Sequence, residues 1–275
     1  MTNAMIRNLL KLDPHLQNLY TMPPTKLQHI LQIHSSKMEK FINEFGSINV
    51  HKLIKLYNSK NISYITFYDP EYPQVLREIH DPPLVLFLKG DKNLLSRNAI
   101  AIVGARAANH YAQIALDLIL PELIRNNIVI VSGLAKGTDT FAHEKTIQCG
   151  GKTIAVLGGG FFHLYPSENK ALADEIEKNH LLLSEYPPII KPERWHFPMR
   201  NRIISGLAKG TIVVQAKKRS GSLITADMAL EAGREVFAFP GPINDSLSEG
   251  TNHLIQQGAK LITSGKDILE EIFLE

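Results

Sequence analysis

The chain has 275 residues, 44% of them hydrophobic and 21% charged, with a formal net charge of +3 and an isoelectric point near 8.8. These figures fit a folded protein with one large domain and a small appendage; they exclude extensive disorder and permit nucleic-acid binding without demanding it. A single cysteine, Cys149, excludes an internal disulfide framework, the first residues lack the apolar run of a signal peptide, and no stretch approaches the ~20 apolar residues of a membrane span, so a cytoplasmic protein with no membrane partner is expected.

Residues 1–60 are poor in glycine and rich in Leu, Ile, Lys and His. Leu27, Ile30, Leu31 and His34 recur at helical spacing, as do Leu53, Ile54 and Tyr57, while Met22-Pro23-Pro24-Thr25 ends one helix and starts another. A module of short helices is expected, either a packing unit without a site of its own or a docking surface for a partner or DNA. From Asn61 the pattern changes. Residues 62–68 and Val85-Leu86-Phe87-Leu88 are β-prone, as strands or extended arms leading into the second domain, 61–275.

A regular alternation follows. Apolar runs at residues 100–103, 128–131, 153–157, 181–183, 211–214, 236–239 and 260–262 are separated by helical stretches, one through Ile114, Leu118 and Ile119 with Pro121 expected to kink or restart it, another through Leu172 and Ile176 with Ser167 as its cap. Short Val, Ile and Leu runs without polar alternation are strands buried on both faces. Interleaved with helices, they predict an α/β fold with a doubly wound, mostly parallel sheet.

In such a sheet ligands bind beyond the carboxyl ends of the strands. Gly104 and Arg106 follow the first run. Gly133 and Lys136 follow the second. Gly158 follows the third and leads to Tyr165, Asn169 and Lys170. The turn Lys217-Lys218-Arg219-Ser220-Gly221-Ser222 follows residues 211–214 and opens a helix. Glycine lets amides approach an anion, and a helix beginning there adds its positive end. A single such loop would be equally well explained as a tight turn; several on one edge, with basic residues between them, point to a polyanion site. The stretch 191–202 adds Lys191, Arg194, Arg200 and Arg202 beside Trp195, His196 and Phe197, with Arg200-Asn201-Arg202 opening a helix over 203–207. Cations track phosphates and aromatic rings stack on unpaired bases; alternatively the two large aromatics anchor the loop to the sheet.

The heptapeptide at 132–138 recurs at 205–211. The first copy follows a strand and lies on the ligand edge, so Lys136 is a candidate. The second ends a helix and enters a strand on the opposite edge, so Lys209 is not. Other chemistries lack their patterns. Arg106 stands where a dinucleotide fingerprint needs glycine, the lysine of each heptapeptide precedes its glycine where a P-loop needs the reverse, and no zinc ligand set is visible, so no cofactor or metal is expected. His143 and His196 fit core or capping roles better than ligation. Asp139 and Glu185 form either a pair of catalytic carboxylates or partners that order neighbouring arginines.

The ordered motifs carry a resemblance. Ile102-Val103-Gly104-x-Arg106, Ser132-Gly133-Leu134-Ala135-x-Gly137-x-Asp139, Ala142-His143, Tyr165-Pro166-x-x-Asn169, Ser184-Glu185, Phe197-Pro198-x-Arg200-Asn201-Arg202, Ser220-Gly221-Ser222-Leu223-Ile224-Thr225 and Pro240-Gly241, with Tyr72-Pro73 and Asp81-Pro82-Pro83 upstream, resemble the DNA-processing protein DprA (Smf) family from about Tyr68 onward. Residues 1–60 resemble, more weakly, the sterile-alpha-motif-like module some members carry. The resemblance implies an extended Rossmann-like fold that binds single-stranded DNA, forms a homodimer, protects DNA entering during natural transformation and loads a RecA-type recombinase, with no enzymatic activity. By matching motif it implies Arg106 and Lys170 as the main phosphate contacts. Arg200, Arg202 and the turn from Lys217 to Ser222 are added from charge and position.

Three departures stand out. Ala105 replaces a small hydroxyl residue, Gln215 replaces a common glutamate, and the sequence stops at Glu275 without the winged-helix domain of many members. Two other functions stay open on the sequence. One is a phosphoribohydrolase-like enzyme holding a mononucleotide on the same edge, for which Pro240-Gly241-Pro242 does not supply the needed Pro-Gly-Gly-x-Gly-Thr loop. The other is a competence-complex scaffold with incidental DNA affinity.

Overall fold

In the computed structural model, which describes residues 3–14, 16–19 and 21–272, the chain divides into two compact units, 1–60 and 61–275. The first consists of helices α1 (Asn3–Leu12), α2 (Pro24–Leu31), α3 (Ser35–Ser47) and α4 (Val50–Ser59). Proline at the start of α2 needs no intrahelical partner, so Pro23-Pro24 opens the helix without cost. Leu9, Leu19, Leu27, Leu31 and Met38 form this unit's own small core.

The second unit runs β1 (Ser63–Thr66), α5 (Gln74–Arg77), β2 (Val85–Gly90), β3 (Ala99–Val103), α6 (His110–Arg125), β4 (Val129–Ser132), α7 (Thr138–Gln148), β5 (Thr153–Leu157), α8 (Lys170–Asn179), β6 (Leu181–Ser184), α9 (His196–Gly206), β7 (Gly210–Val213), α10 (Gly221–Glu231), β8 (Glu235–Ala238), α11 (Glu249–Gln256), β9 (Lys260–Leu261) and α12 (Gly265–Ile272). Its nine strands form one sheet in the order β1-β2-β6-β5-β4-β3-β7-β8-β9. β3 to β9 are mutually parallel; β2 adds antiparallel to the β6 edge, with Phe87 opposite Ser184, and β1 pairs antiparallel with β2. The fold is thus the expected α/β class, and the two β-prone arms are strands of the same sheet.

Strand β3 shows why the central runs are apolar throughout. Ala99, Ala101 and Val103 face the layer of α5, α9, α10 and α11, while Ile100 and Ile102 face α6, α7 and α12. Each buried Ile or Leu contributes about 1.5–3 kcal/mol, and a polar residue at any of these positions would lack a partner. Local expectations change at three places. Pro121 does not restart α6, because Leu116, Ile119, Leu120 and Leu123 are fully buried on both sides of it and hold the helix through the lost amide bond. Ser167 does not cap α8: residues 167–169 form a 3₁₀ turn and the helix begins at Lys170. Helix α9 begins at His196, ahead of the Arg200 start the sequence suggested, because Pro198 falls in its first turn, where no amide donor is required.

One polar group is enclosed beneath the sheet. His143 on α7 has no exposed surface, and its Nδ1 lies 2.7 Å from Thr153 Oγ1. That hydroxyl already donates to the Ile130 carbonyl, so the imidazole is the donor and carries its proton on Nδ1, leaving Nε2 without a partner. Burial, reinforced by His180 and Arg200, pulls its pKa down to about 3. The unfolded chain therefore takes up this proton first as pH falls below about 6.5, the ordinary value, and the folded state is progressively disfavoured down to about pH 3. Urea midpoints should accordingly fall between pH 7 and pH 5, and His143→Gln should remove about one proton, or about 1.4 kcal/mol per pH unit, from that slope. An unchanged slope would contradict a neutral buried imidazole.

Candidate nucleic-acid interface

Chain order in the sheet reverses between β3 and β7, where a doubly wound sheet opens a crevice at its carboxyl edge. A cleft of about 610 Å³ lies there, walled by the loops after β3 and β7, the 3₁₀ approach to α8 and the first turns of α9 and α10. Gly104, Arg106, Tyr165, Arg200, Asn201, Ser220, Gly221 and Ser222 all line it. Gly133 and Lys136 join Arg106, Tyr165 and Arg200 around a smaller adjoining recess, and Gly158 meets Tyr165 and Phe197 in a third.

The glycines serve packing more than anion approach. A Cβ on Gly104 would sit 2.4 Å from Thr138 Oγ1, one on Gly133 2.2 Å from Arg200, and one on Gly158 2.8 Å from the Phe197 ring. Their missing side chains make room for the groups that build the wall. Only Gly221, at the start of α10, faces open space. Gly137 has a left-handed φ of +76°, and a Cβ there would press on the carbonyl oxygens of Ala105 and Arg106 at 2.5 Å, so glycine lets the β3 and β4 loops meet.

Two arginines take structural positions. Arg200 is 4% exposed and donates from one guanidinium nitrogen to the Gly133 and Val156 carbonyls, each at 2.5 Å. Burial pulls its pKa down to about 10, opposed by Asp139. Asp139 is itself buried and accepts from the amides of Gly133 (3.1 Å) and Ala135 (3.3 Å); burial raises its pKa, and Arg200 works against that rise. Arg202 points into the interior, bonding both carboxylate oxygens of Glu185 at 2.6 and 2.8 Å, with Asp81 at 3.5 Å. Residues two apart on a helix do not share a face, so Arg200 and Arg202 cannot reach one ligand together. Both were expected as phosphate contacts: Arg200 lines the cleft with its Nη1 engaged by backbone carbonyls, and Arg202 has its Nη2 engaged by carboxylates. The carboxylates Asp139 and Glu185 order the loops and arginines as the sequence allowed.

Asn169 is buried, and its amide donates inward to the Leu134 carbonyl at 2.8 Å and to Thr140 Oγ1 at 2.9 Å. Lys170 projects from the first turn of α8 and pairs with Asp174 one turn on; it does not line the cleft. Lys136 pairs with Glu168 at 2.5 Å, and that bond raises its pKa. Arg106 is exposed, its guanidinium 5.8 Å from the Phe197 ring centroid, and makes no ion pair among the described residues. Lys217, Lys218 and Arg219 are exposed on the turn into α10. Of the departures, Ala105 accepts Thr138 at its carbonyl, while Gln215 is buried and locks Asn109, the cap of α6, through two hydrogen bonds.

Sequence reasoning passed over Thr225 and Ile224, which line the cleft from α10, and Glu168, the counter-charge of Lys136. Ser222 and Thr225 are three apart and so share one helix face, a signal available in Ser220-Gly221-Ser222-Leu223-Ile224-Thr225.

The fold is Rossmann-like, and its switch-point crevice brings together an exposed arginine and a helix N-terminus free of acidic residues in its first turn. The chain belongs to the family of DNA recombination-mediator protein A, whose model matches residues 63–273. It is 49% identical to the DNA processing protein DprA of Bacillus subtilis over 242 residues, 88% of this chain and 81% of that protein. It is 46% identical to that of Streptococcus pneumoniae over 249 residues, 90% and 82% of the two chains. The X-ray structure of the S. pneumoniae protein superposes with a TM-score of 0.89 at 43% identity, covering 100% of this chain and 94% of that one. A structure addressing the single-stranded DNA binding mode of DNA processing protein A from Helicobacter pylori superposes with a TM-score of 0.68 at 32% identity, over 76% of this chain and 95% of that one.

The division between buried and exposed arginines predicts opposite phenotypes. Arg200→Ala strands two carbonyls and the Asp139 carboxylate, and should lower unfolding stability by about 3 kcal/mol. Arg106→Ala should change it by less than about 0.5 kcal/mol, as for an ordinary surface substitution. Urea denaturation of the two variants separates them, and equal midpoints would contradict the assignment.

Proposed function

We propose that this chain binds single-stranded DNA in the switch-point cleft and, as a recombination mediator of the cytoplasm, passes it to a RecA-type recombinase during natural transformation or repair, acting as a homodimer. The observation that carries this reading is the free guanidinium of Arg106 standing over Phe197 at the mouth of a cleft whose opposite wall is the N-terminus of α10. A cation, a helix end and aromatic rings in one cleft suit a phosphate chain with unpaired bases. Membership in a family of DNA recombination mediators, and the single-stranded DNA bound by the H. pylori relative, support the recombinase step and the ligand.

The proposed phosphate contacts are Arg106, Lys136 after exchanging Glu168 for a phosphate, and the turn from Lys217 to Ser222. Lys170, which the family resemblance implies, would require release from Asp174 and a strand that reaches beyond the cleft. A binding protein is favoured over a phosphoribohydrolase because Asp139 and Glu185 are committed to backbone amides and to Arg202.

Affinity for an unstructured oligonucleotide, measured by fluorescence anisotropy, should fall with salt at a log–log slope of about 0.7 per phosphate neutralised. Arg106→Ala should weaken binding about tenfold for every sequence alike and lower the slope by about 0.7. Unchanged affinity and slope in this variant would remove the basis of the proposal.

A further inference from the structure

Trp195 is the only tryptophan of the chain, and it is 58% exposed. It is nevertheless held firmly. Its Nε1 donates to Glu193 Oε2 at 2.7 Å, and its ring stands edge-to-face with His196 at 4.1 Å and with Tyr186 at 6.4 Å. Tyr186 and His196 stack on one another at 3.9 Å with 20° between their planes. His196 is buried, and with its proton on Nδ1 it donates to the Gly158 carbonyl oxygen at 3.1 Å, which fastens the aromatic group to the carboxyl end of β5. Pro187, Pro188 and Pro192 stiffen the loop that carries it.

An indole with its one donor satisfied has only its ring left to offer a ligand. Holding such a ring rigid and wet sacrifices apolar burial, a cost that a packing role would not incur. Trp195 also sits between Arg194 and Phe197, both of which line the cleft. We propose that Trp195, braced by Tyr186 and His196, is a base-stacking subsite adjoining the phosphate cleft, and that it selects unpaired strands over duplexes. Phosphates are common to single and double strands and cannot make that distinction. Only an unpaired base can leave its neighbours to stack on a protein ring. The inference rests on the reading of the cleft as a polynucleotide site.

The lone tryptophan reports on itself. In the full chain, a thymine oligonucleotide should quench Trp195 fluorescence saturably, with the same midpoint as its anisotropy titration. An abasic deoxyribose-phosphate oligomer of equal length should bind about tenfold more weakly and leave the emission unquenched. Trp195→Ala should lower single-strand affinity about tenfold with duplex affinity and salt slope unchanged, and Trp195→Phe should recover part of the loss. Oligonucleotide binding without quenching, or a single-strand to double-strand ratio in Trp195→Ala equal to that of the wild type, overturns the subsite while leaving the cleft reading intact. Absence of any oligonucleotide binding by the wild-type chain overturns both.

Discussion

Arg200 donates from one nitrogen to the carbonyls of Gly133 and Val156 and so ties together the carboxyl ends of β4 and β5, two neighbouring strands beneath the cleft. The rest of the site follows from that contact. Gly133 lacks a side chain because the guanidinium occupies its space. Asp139, bound to the amides of Gly133 and Ala135, supplies the compensating charge and bends the β4 loop back over the strand end.

The same constraint explains which parts of the site were legible in the sequence. The strands were plain, because burial on both faces writes itself as uninterrupted Val, Ile and Leu. The location of the cleft was plain too, since it depends only on which loops leave the carboxyl edge. The work of each residue was not. Gly104, Gly133 and Gly158 signal crowding, but the sequence does not show whether an anion or a side chain does the crowding; here it is Thr138, Arg200 and Phe197. Arg200-Asn201-Arg202 signals positive charge, but its partners, Gly133, Val156 and Glu185, are brought near only by the tertiary fold. Helical geometry would have separated Arg200 from Arg202 even without coordinates, since α9 places them on nearly opposite faces.

A second lesson concerns charge. The mild positive balance of the whole chain belongs to residues 1–60, which hold eight Lys and Arg against three Asp and Glu; residues 61–275 hold 22 against 24. The unit that carries the cleft is therefore slightly acidic overall. The positive character of the cleft is local, made by which cations lack carboxylate partners. Lys136 and Lys170 are paired with carboxylates, Arg200 and Arg202 are consumed by the interior, and Arg106, Arg194 and the 217–219 turn stand exposed. Screening confines each charge to roughly 8 Å at physiological ionic strength, so the sum over the unit has little bearing on a phosphate in the cleft.

Burial then decides what each cation can do. A guanidinium in the floor has lost its hydration and recovered hydrogen bonds from backbone carbonyls at the strand ends, so giving its donors to a ligand would leave those carbonyls short of a partner. A guanidinium on the rim keeps its water; under the proposed reading a phosphate would displace that water while the strand sheds its own condensed counterions. On that reading the floor would contribute shape and the rim affinity. Phe197 joins the two, with its ring packed on Gly158 below and facing Arg106 above. The exposed cation is thereby held over a packed ring, which would lower the entropy lost on docking a strand as proposed.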